Sequence, residues 1–252
     1  MLKRPLRFLA LLGALLAGLS QAGQVRVAVA ANFAAPMQKI AATFARDTGH
    51  SAVLAVGSTG KFYAQIIHGA PFHVLLAADS ETPARLEKEG LAVSGSRFTY
   101  AVGRLVLWSR NRTLVDGAGD VLRTAHFDRM AVADPKLAPY GAAARDTLQA
   151  MGLLSALQPR LVQGESIGQV YQFVASGNAA LGFVALSQVM LDGKLTDGSA
   201  WIVPAPLYAP LRQDAVVLNA GQGNAAAMAL VSYLQSDPVR AVMRGYGYDF
   251  PR

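Results

Sequence analysis

The sequence predicts an α/β protein built as two lobes, each a mainly parallel sheet flanked by helices, with a ligand cleft between them. Three observations point there. Short β-rich runs alternate with amphipathic stretches, small glycine-bearing polar loops follow the runs, and Pro204, Pro206 and Pro210 mark an irregular return crossing.

In order along the chain, residues 25–29 (Val-Arg-Val-Ala-Val) read as a strand, and residues 37–46 as a helix with Ile40 and Phe44 on one face. Residues 52–56 give a second strand, 60–68 a second helix, 74–76 a third strand and 81–89 a third helix. This βαβαβ order predicts parallel pairing with helices on both faces. After the turn-rich patch at Ser94-Gly95-Ser96, residues 105–108 and 130–132 are strands and 142–151 a helix. Residues 161–163 are compatible with a strand; 166–176 are helical, 180–184 a buried strand, 215–218 a strand and 224–234 a helix. The chain is expected to leave the first lobe near Tyr100 and return near Gln213, giving lobe 1 as residues 23–102 with 213–252 and lobe 2 as residues 103–212. A discontinuous lobe joined by two crossings places the cleft at a hinge.

The first 22 residues read as a cleavable leader. Lys3, Arg4 and Arg7 precede an apolar run over residues 8–19, and Ser20-Gln21-Ala22 supplies small residues for cleavage near Gly23 or Gln24. That run is shorter than the roughly 20 residues of a membrane span. The chain has no cysteine, which excludes disulfides, thiolate metal sites, cysteine nucleophiles and lipid attachment at an N-terminal cysteine. A periplasmic protein is therefore expected. The net charge is +7, but three of these charges belong to the leader and no two basic residues are adjacent beyond Arg7. Without a clustered basic face, nucleic-acid binding is not expected.

Four loops carry the functional signal: Ala30-Ala31-Asn32-Phe33, Gly57-Ser58-Thr59-Gly60, Asp134-Pro135 with Pro139-Tyr140-Gly141-Ala142, and Gly164-Glu165-Ser166-Ile167-Gly168. Each leads into a helix and so offers free backbone N–H groups and a positive dipole end. In an open α/β sheet such loops gather at the carboxyl ends of the strands. Two from each lobe would form a donor-rich pocket for an anion, with Asn32, Ser58, Thr59 and Tyr140 adding side-chain donors. Hydrogen bonds to a charged group contribute about 1.5–3 kcal/mol each, so five or six suffice without a formal positive charge. Each residue also has a plainer reading. Asn32, Ser58 and Thr59 are good helix caps, Tyr140 beside Pro139 a loop aromatic, Ile167 a core contact, and Lys61 and Glu165 solvated charges.

Two motifs fail on inspection. Gly57-Ser58-Thr59-Gly60-Lys61 resembles a nucleotide phosphate loop, but Ala55 and Phe62 stand where that pattern needs glycine and a magnesium-binding hydroxyl. Gly164-Glu165-Ser166-Ile167-Gly168 matches a nucleophile elbow, yet His50, His68, His73 and His126 all precede Ser166, the wrong order for such a hydrolase. Those histidines are also too dispersed for a metal site.

With these loops go Gly69-Ala70-Pro71-Phe72, Ala77-Ala78-Asp79, Ala133-Asp134-Pro135, Leu181-Gly182-Phe183-Val184 and Gly245-Tyr246-Gly247-Tyr248. From residue 27 to Tyr248 the chain resembles the periplasmic molybdate-binding proteins of ABC transporters. The resemblance implies a type II-like periplasmic binding fold and capture of molybdate or tungstate for a membrane permease. It also implies a monomer with no enzymatic activity, no cofactor and no protein-to-metal bond. It places oxyanion contacts at Asn32, Thr59 with its neighbour Ser58, Tyr140 and Ile167, the last two through the backbone in the family pattern. Ala185 stands where many members have a tyrosine; Tyr140 is the substitute hydroxyl. A sulfate or phosphate binder on the same fold is the nearest alternative, and a serine hydrolase through Ser166 a remote one.

Overall fold

The computed structural model describes residues 22–251; the expected leader, Ala22 apart, lies outside them. Strand β1 (Gln24–Ala30) is followed by helix α1 (Ala34–Thr48), β2 (Ser51–Gly57), α2 (Thr59–Ile67), β3 (Val74–Leu76), α3 (Glu81–Lys88) and β4 (Phe98–Gly103). The chain then enters a second sheet: β5 (Leu105–Ser109), α4 (Val121–Thr124), β6 (Met130–Ala133), α5 (Pro139–Ala150), α6 (Leu154–Leu157), β7 (Leu161–Gly164), α7 (Ile167–Ala175) and β8 (Leu181–Ala185). A short helix α8 (Leu186–Val189), the small hairpin β9 (Met190–Leu191) and β10 (Lys194–Leu195), and β11 (Ser199–Ile202) complete it. The chain returns through β12 (Leu211–Val217) and ends on α9 (Ala225–Leu234) and α10 (Asp237–Gly245).

The two five-stranded sheets share one topology, β2-β1-β3-β12-β4 in lobe 1 and β7-β6-β8-β5-β11 in lobe 2. In each, one strand runs against the other four: β12 is antiparallel to β3 and β4, and β5 to β8 and β11. The reversed strands lie next to the two crossings, because a chain that enters a sheet from the partner lobe arrives from the cleft side. Sequence periodicity did not reveal β4, β11 or α10. The aromatic residues of β4 lie close to a turn, and β11 follows glycine and aspartate that disfavour strands.

Alternation in β1 divides lobe 1 into two layers. Val25, Val27 and Val29 pack with Phe33, Met37, Ile40 and Phe44 of the α1 side and Leu230 of α9. Ala28 faces the other way, with Phe62 and Ile66 of α2, Leu75 and Val216. Lobe 2 has a single core cluster, which Ala30, Ala31 and Ala78 of lobe 1 join, so the lobes share a packed seam. These small residues let two backbones approach closely.

The register then fixes the site. β1 and β2 pair in parallel from Gln24 with Ser51 to Ala30 with Gly57, so both strands end at the same level. β6 and β7 do likewise, ending on Ala133 with Gly164. Helix α5 starts directly on the end of β6: a Cβ at Gly141 would lie 2.3 Å from the Ala133 carbonyl oxygen. Neither partner is a flexible side chain. Gly141→Ala should therefore destabilise the protein by about 1–3 kcal/mol, the usual cost of overpacking, seen as a lower urea midpoint with an unchanged slope.

Candidate ligand-binding site

The four strand ends converge on a small cavity between the lobes, with an empty volume of ≈ 190 Å³. Asn32, Ser58, Thr59, Tyr140 and Ile167 all line it, together with Ala31 and Ala78, and none of the lining residues is charged. So small a space suits a compact ion and not a drug-sized ligand. A larger cleft next to it, ≈ 900 Å³ of empty space, carries Asp79, Glu81 and Asp146 beside Lys136 and Arg212. Three carboxylates make that cleft a poor place for an anion. Burial also pushes the Asp79 carboxyl above its usual range, against the opposing hydrogen bonds from Thr82.

The donors come from first helical turns, whose N–H groups have no carbonyl four residues back. Ser58 is the N-cap of α2 and Thr59 its first residue; Pro139 opens α5 with Tyr140 next; Ile167 opens α7. The backbone N–H groups of Ala31, Ser58, Thr59, Tyr140 and Ile167 have no backbone acceptor among the described residues. The neighbouring Gly60 N–H is already used, donating across the cleft to the Leu137 carbonyl at 2.9 Å.

The side chains depart from the plainer readings. Ser58 occupies an N-cap position but makes no capping bond, and its buried Oγ has no hydrogen-bond partner among the described residues. A buried hydroxyl without a partner is costly unless something accepts from it. Thr59 is committed differently: its Oγ1 accepts the Ala78 N–H at 3.0 Å and ties the loop after β3 to the site. Ile167 does both jobs, with its side chain in the lobe 2 core and its carbonyl accepting from Gln188. Tyr140 is not a surface aromatic: it is 1% exposed. Its hydroxyl accepts from Gln213 Nε2 at 3.0 Å. Burial, and then the nearby Tyr248, hold the phenol well above its ordinary pKa, so it stays a neutral donor.

Asn32 differs from the expected side-chain donor. Its Nδ2 hydrogens are claimed by Gln213 Oε1 at 2.8 Å and Tyr248 Oη at 2.9 Å, while Oδ1 has no partner among the described residues. The Asn32 carbonyl is held from lobe 2, accepting from Ser187 Oγ at 2.7 Å. Lys61 and Glu165 sit at the exposed rim and pair across the cleft at 2.5 Å, and this contact keeps the Glu165 carboxyl below its usual range. Ser166 caps α7 through its Oγ, so the elbow motif is a helix start. His50 and His73 accept from the backbone N–H groups of Gly23 and Arg26 instead of serving as a base for it.

Sequence reasoning missed Ala31, which has only a backbone to offer, and Gln213, a lone glutamine in a strand with no pattern to mark it. Ala78 was visible only as part of a family marker.

The model of the bacterial extracellular solute-binding protein family matches residues 25–249. The chain is 57% identical over 243 residues to the molybdate-binding protein ModA of Azotobacter vinelandii, covering 96% of each. It is 51% identical to the Rhodobacter capsulatus molybdate-binding protein ModA, covering 90% of this chain and 88% of that one. In structure it matches an Azotobacter vinelandii periplasmic molybdate-binding protein at a TM-score of 0.88 and 41% identity, over 90% of this chain and 100% of the other. The two-lobed fold, the loops at the strand ends and these matches have one reading: the chain belongs to the bacterial extracellular solute-binding protein family.

Proposed function

We propose that this protein is the periplasmic component of an ABC transporter that captures molybdate, and tungstate with it, through uncharged hydrogen-bond donors. The observation that carries this reading is the cavity of ≈ 190 Å³ between the lobes, lined by first-turn N–H groups, a buried Ser58 hydroxyl and Tyr140, with no charged lining residue. Its relatives at 57% and 51% identity are named as molybdate-binding proteins, which supports the choice of ion. A fully ionised tetrahedral dianion presents only acceptors, and this cavity presents mostly donors. Preorganised dipoles in a largely buried site act at lower dielectric than bulk water, where each is worth more than in solution.

Asn32, Ser58, Thr59, Tyr140 and Ile167 contact the oxyanion oxygens, Asn32, Thr59 and Ile167 through the backbone and Ser58 and Tyr140 through hydroxyls as well. The protein makes no bond to the molybdenum or tungsten atom, carries no resident cofactor, has no nucleic-acid partner, and delivers the ion as a monomer to a membrane permease. Monohydrogen phosphate brings a proton that needs an acceptor; of the two carboxylates in the four loops, Glu165 is turned to Lys61 at the rim and Asp134 accepts the Lys136 backbone N–H, and neither lines the cavity. Sulfate brings no proton but is smaller, so the size of the pocket is what separates it from molybdate. The leader, residues 1–22, is removed on export.

Three measurements test this. In a thermal-shift panel, molybdate and tungstate raise the melting temperature while sulfate and phosphate do little; at about 100 times Kd the stabilisation is roughly 2.7 kcal/mol. Equal shifts with sulfate would refute the choice of ion and leave the fold standing. Tyr140→Phe removes one hydroxyl donor and lowers molybdate affinity by about 1.5–3 kcal/mol, roughly ten- to a hundredfold, by calorimetric titration. Intact-mass analysis of the periplasmic fraction gives a chain starting within a residue or two of Gly23; a full-length mass held in the membrane would count against export.

A further inference from the structure

We propose that Gln213 is a positioning residue for the oxyanion: its carboxamide N–H makes the Tyr140 hydroxyl an acceptor, which leaves the phenolic proton free for the ion. The proposal rests on the molybdate reading above and goes beyond it, to a residue outside the cavity lining.

Gln213 is 0% exposed. It lies on β12, where the pairing with β4 shifts register between Gln213 and Asp214. A buried carboxamide must satisfy both ends, and its orientation decides what its neighbours can do. Here Oε1 receives Asn32 Nδ2 at 2.8 Å and lies 3.0 Å from the Tyr100 hydroxyl, which shares its one proton between Oε1 and the Ala77 carbonyl at 2.9 Å. Asn32 Nδ2 can only donate, so Oε1 must face it and Nε2 is left to face Tyr140 at 3.0 Å. Turning Gln213 alone would set two NH₂ groups against each other. The other Nδ2 hydrogen of Asn32 goes to Tyr248, on the segment after α10, which anchors that side chain in turn.

A phenol has one proton and accepts through its lone pairs. Once its oxygen accepts from Gln213, its own proton must point elsewhere, and Tyr140 lines the cavity. Had the carboxamide faced it with oxygen, the proton would be spent inside the protein and a lone pair would face the anion. Gln213 therefore sets the sign of the interaction at this corner. The contact also spans the lobes, since Tyr140 is on α5 of lobe 2 and Gln213 on β12 of lobe 1. Gly103, where the chain crosses between lobes, makes room for it: a Cβ there would lie 2.1 Å from the Tyr140 hydroxyl and 2.4 Å from Gln213 Nε2.

The test is a double-mutant cycle read by calorimetric titration of sodium molybdate into the mature protein. Gln213→Glu keeps the shape of the side chain, but its carboxylate has no N–H to donate and takes the Tyr140 proton. Gln213→Met keeps the length and removes both polar ends, and decides the matter if the glutamate variant does not melt cooperatively. Each should weaken molybdate about tenfold or more in the wild-type background. Each should cause little further loss in Tyr140→Phe, because the proton that Gln213 directs is already gone. An affinity unchanged by either substitution, or an equal loss in both backgrounds, would overturn the positioning role and leave molybdate binding intact. If Tyr140→Phe alone binds like wild type, the hydroxyl is not a donor to the ion and the proposal falls with it. Wild-type protein that gives no heat with molybdate overturns the underlying reading as well.

Discussion

Parallel pairing in register is the constraint from which the rest of this molecule follows. When β1 and β2 end level on Ala30 and Gly57, and β6 and β7 on Ala133 and Gly164, the next residues have no ladder to join and turn into helices at one height. Each turn leaves N–H groups that the helix cannot satisfy itself. Two such pairs meet at the cavity, which is lined from both lobes by residues at or just beyond the carboxyl ends of the strands. Small residues at the seam, Ala30, Ala31 and Ala78, let the facing pairs close on a small cavity.

Neutral donors rather than cations are the consistent choice for such a place. A buried lysine or arginine would pay a desolvation penalty whenever the cleft held nothing, and would attract any anion of suitable size. Backbone dipoles cost nothing to keep in place, since the fold already orients them. The three buried phenols around the site act in the same way. Burial raises Tyr100, Tyr140 and Tyr248, so each remains uncharged and keeps its proton. The charges nearest the mouth, Lys61 and Glu165, cancel each other in the solvent.

Much of this was legible in the sequence for a physical reason. The valines of β1 alternate with period two, and the polar loops carry glycine, serine and asparagine where helices begin, so the positions of strands and loops along the chain follow from local chemistry. The five residues singled out do line one cavity. What was not legible is how their polar atoms are spent. Nothing local says that Asn32 gives both amide hydrogens to Gln213 and Tyr248, 181 and 216 residues away, or that Thr59 holds the Ala78 N–H. Tyr140 beside a proline looks like a surface ring until a distant strand buries it. Long-range hydrogen-bond partners are set by tertiary packing, and no periodicity encodes them.

The position of the cavity between the lobes also has a kinetic meaning. On the proposed reading, an ion held between the lobes leaves most readily when they part, so its residence time depends on how often they do so. Few polar contacts oppose that parting at the rim: the Gly60 to Leu137 backbone bond and the solvent-exposed Lys61 to Glu165 pair. Exposed ion pairs hold weakly and are screened by salt. If the cavity holds the ion as proposed, the grip on it and the ease of letting it go are assigned to different atoms, the first buried and insensitive to ionic strength, the second at the surface where a docking partner can compete for it.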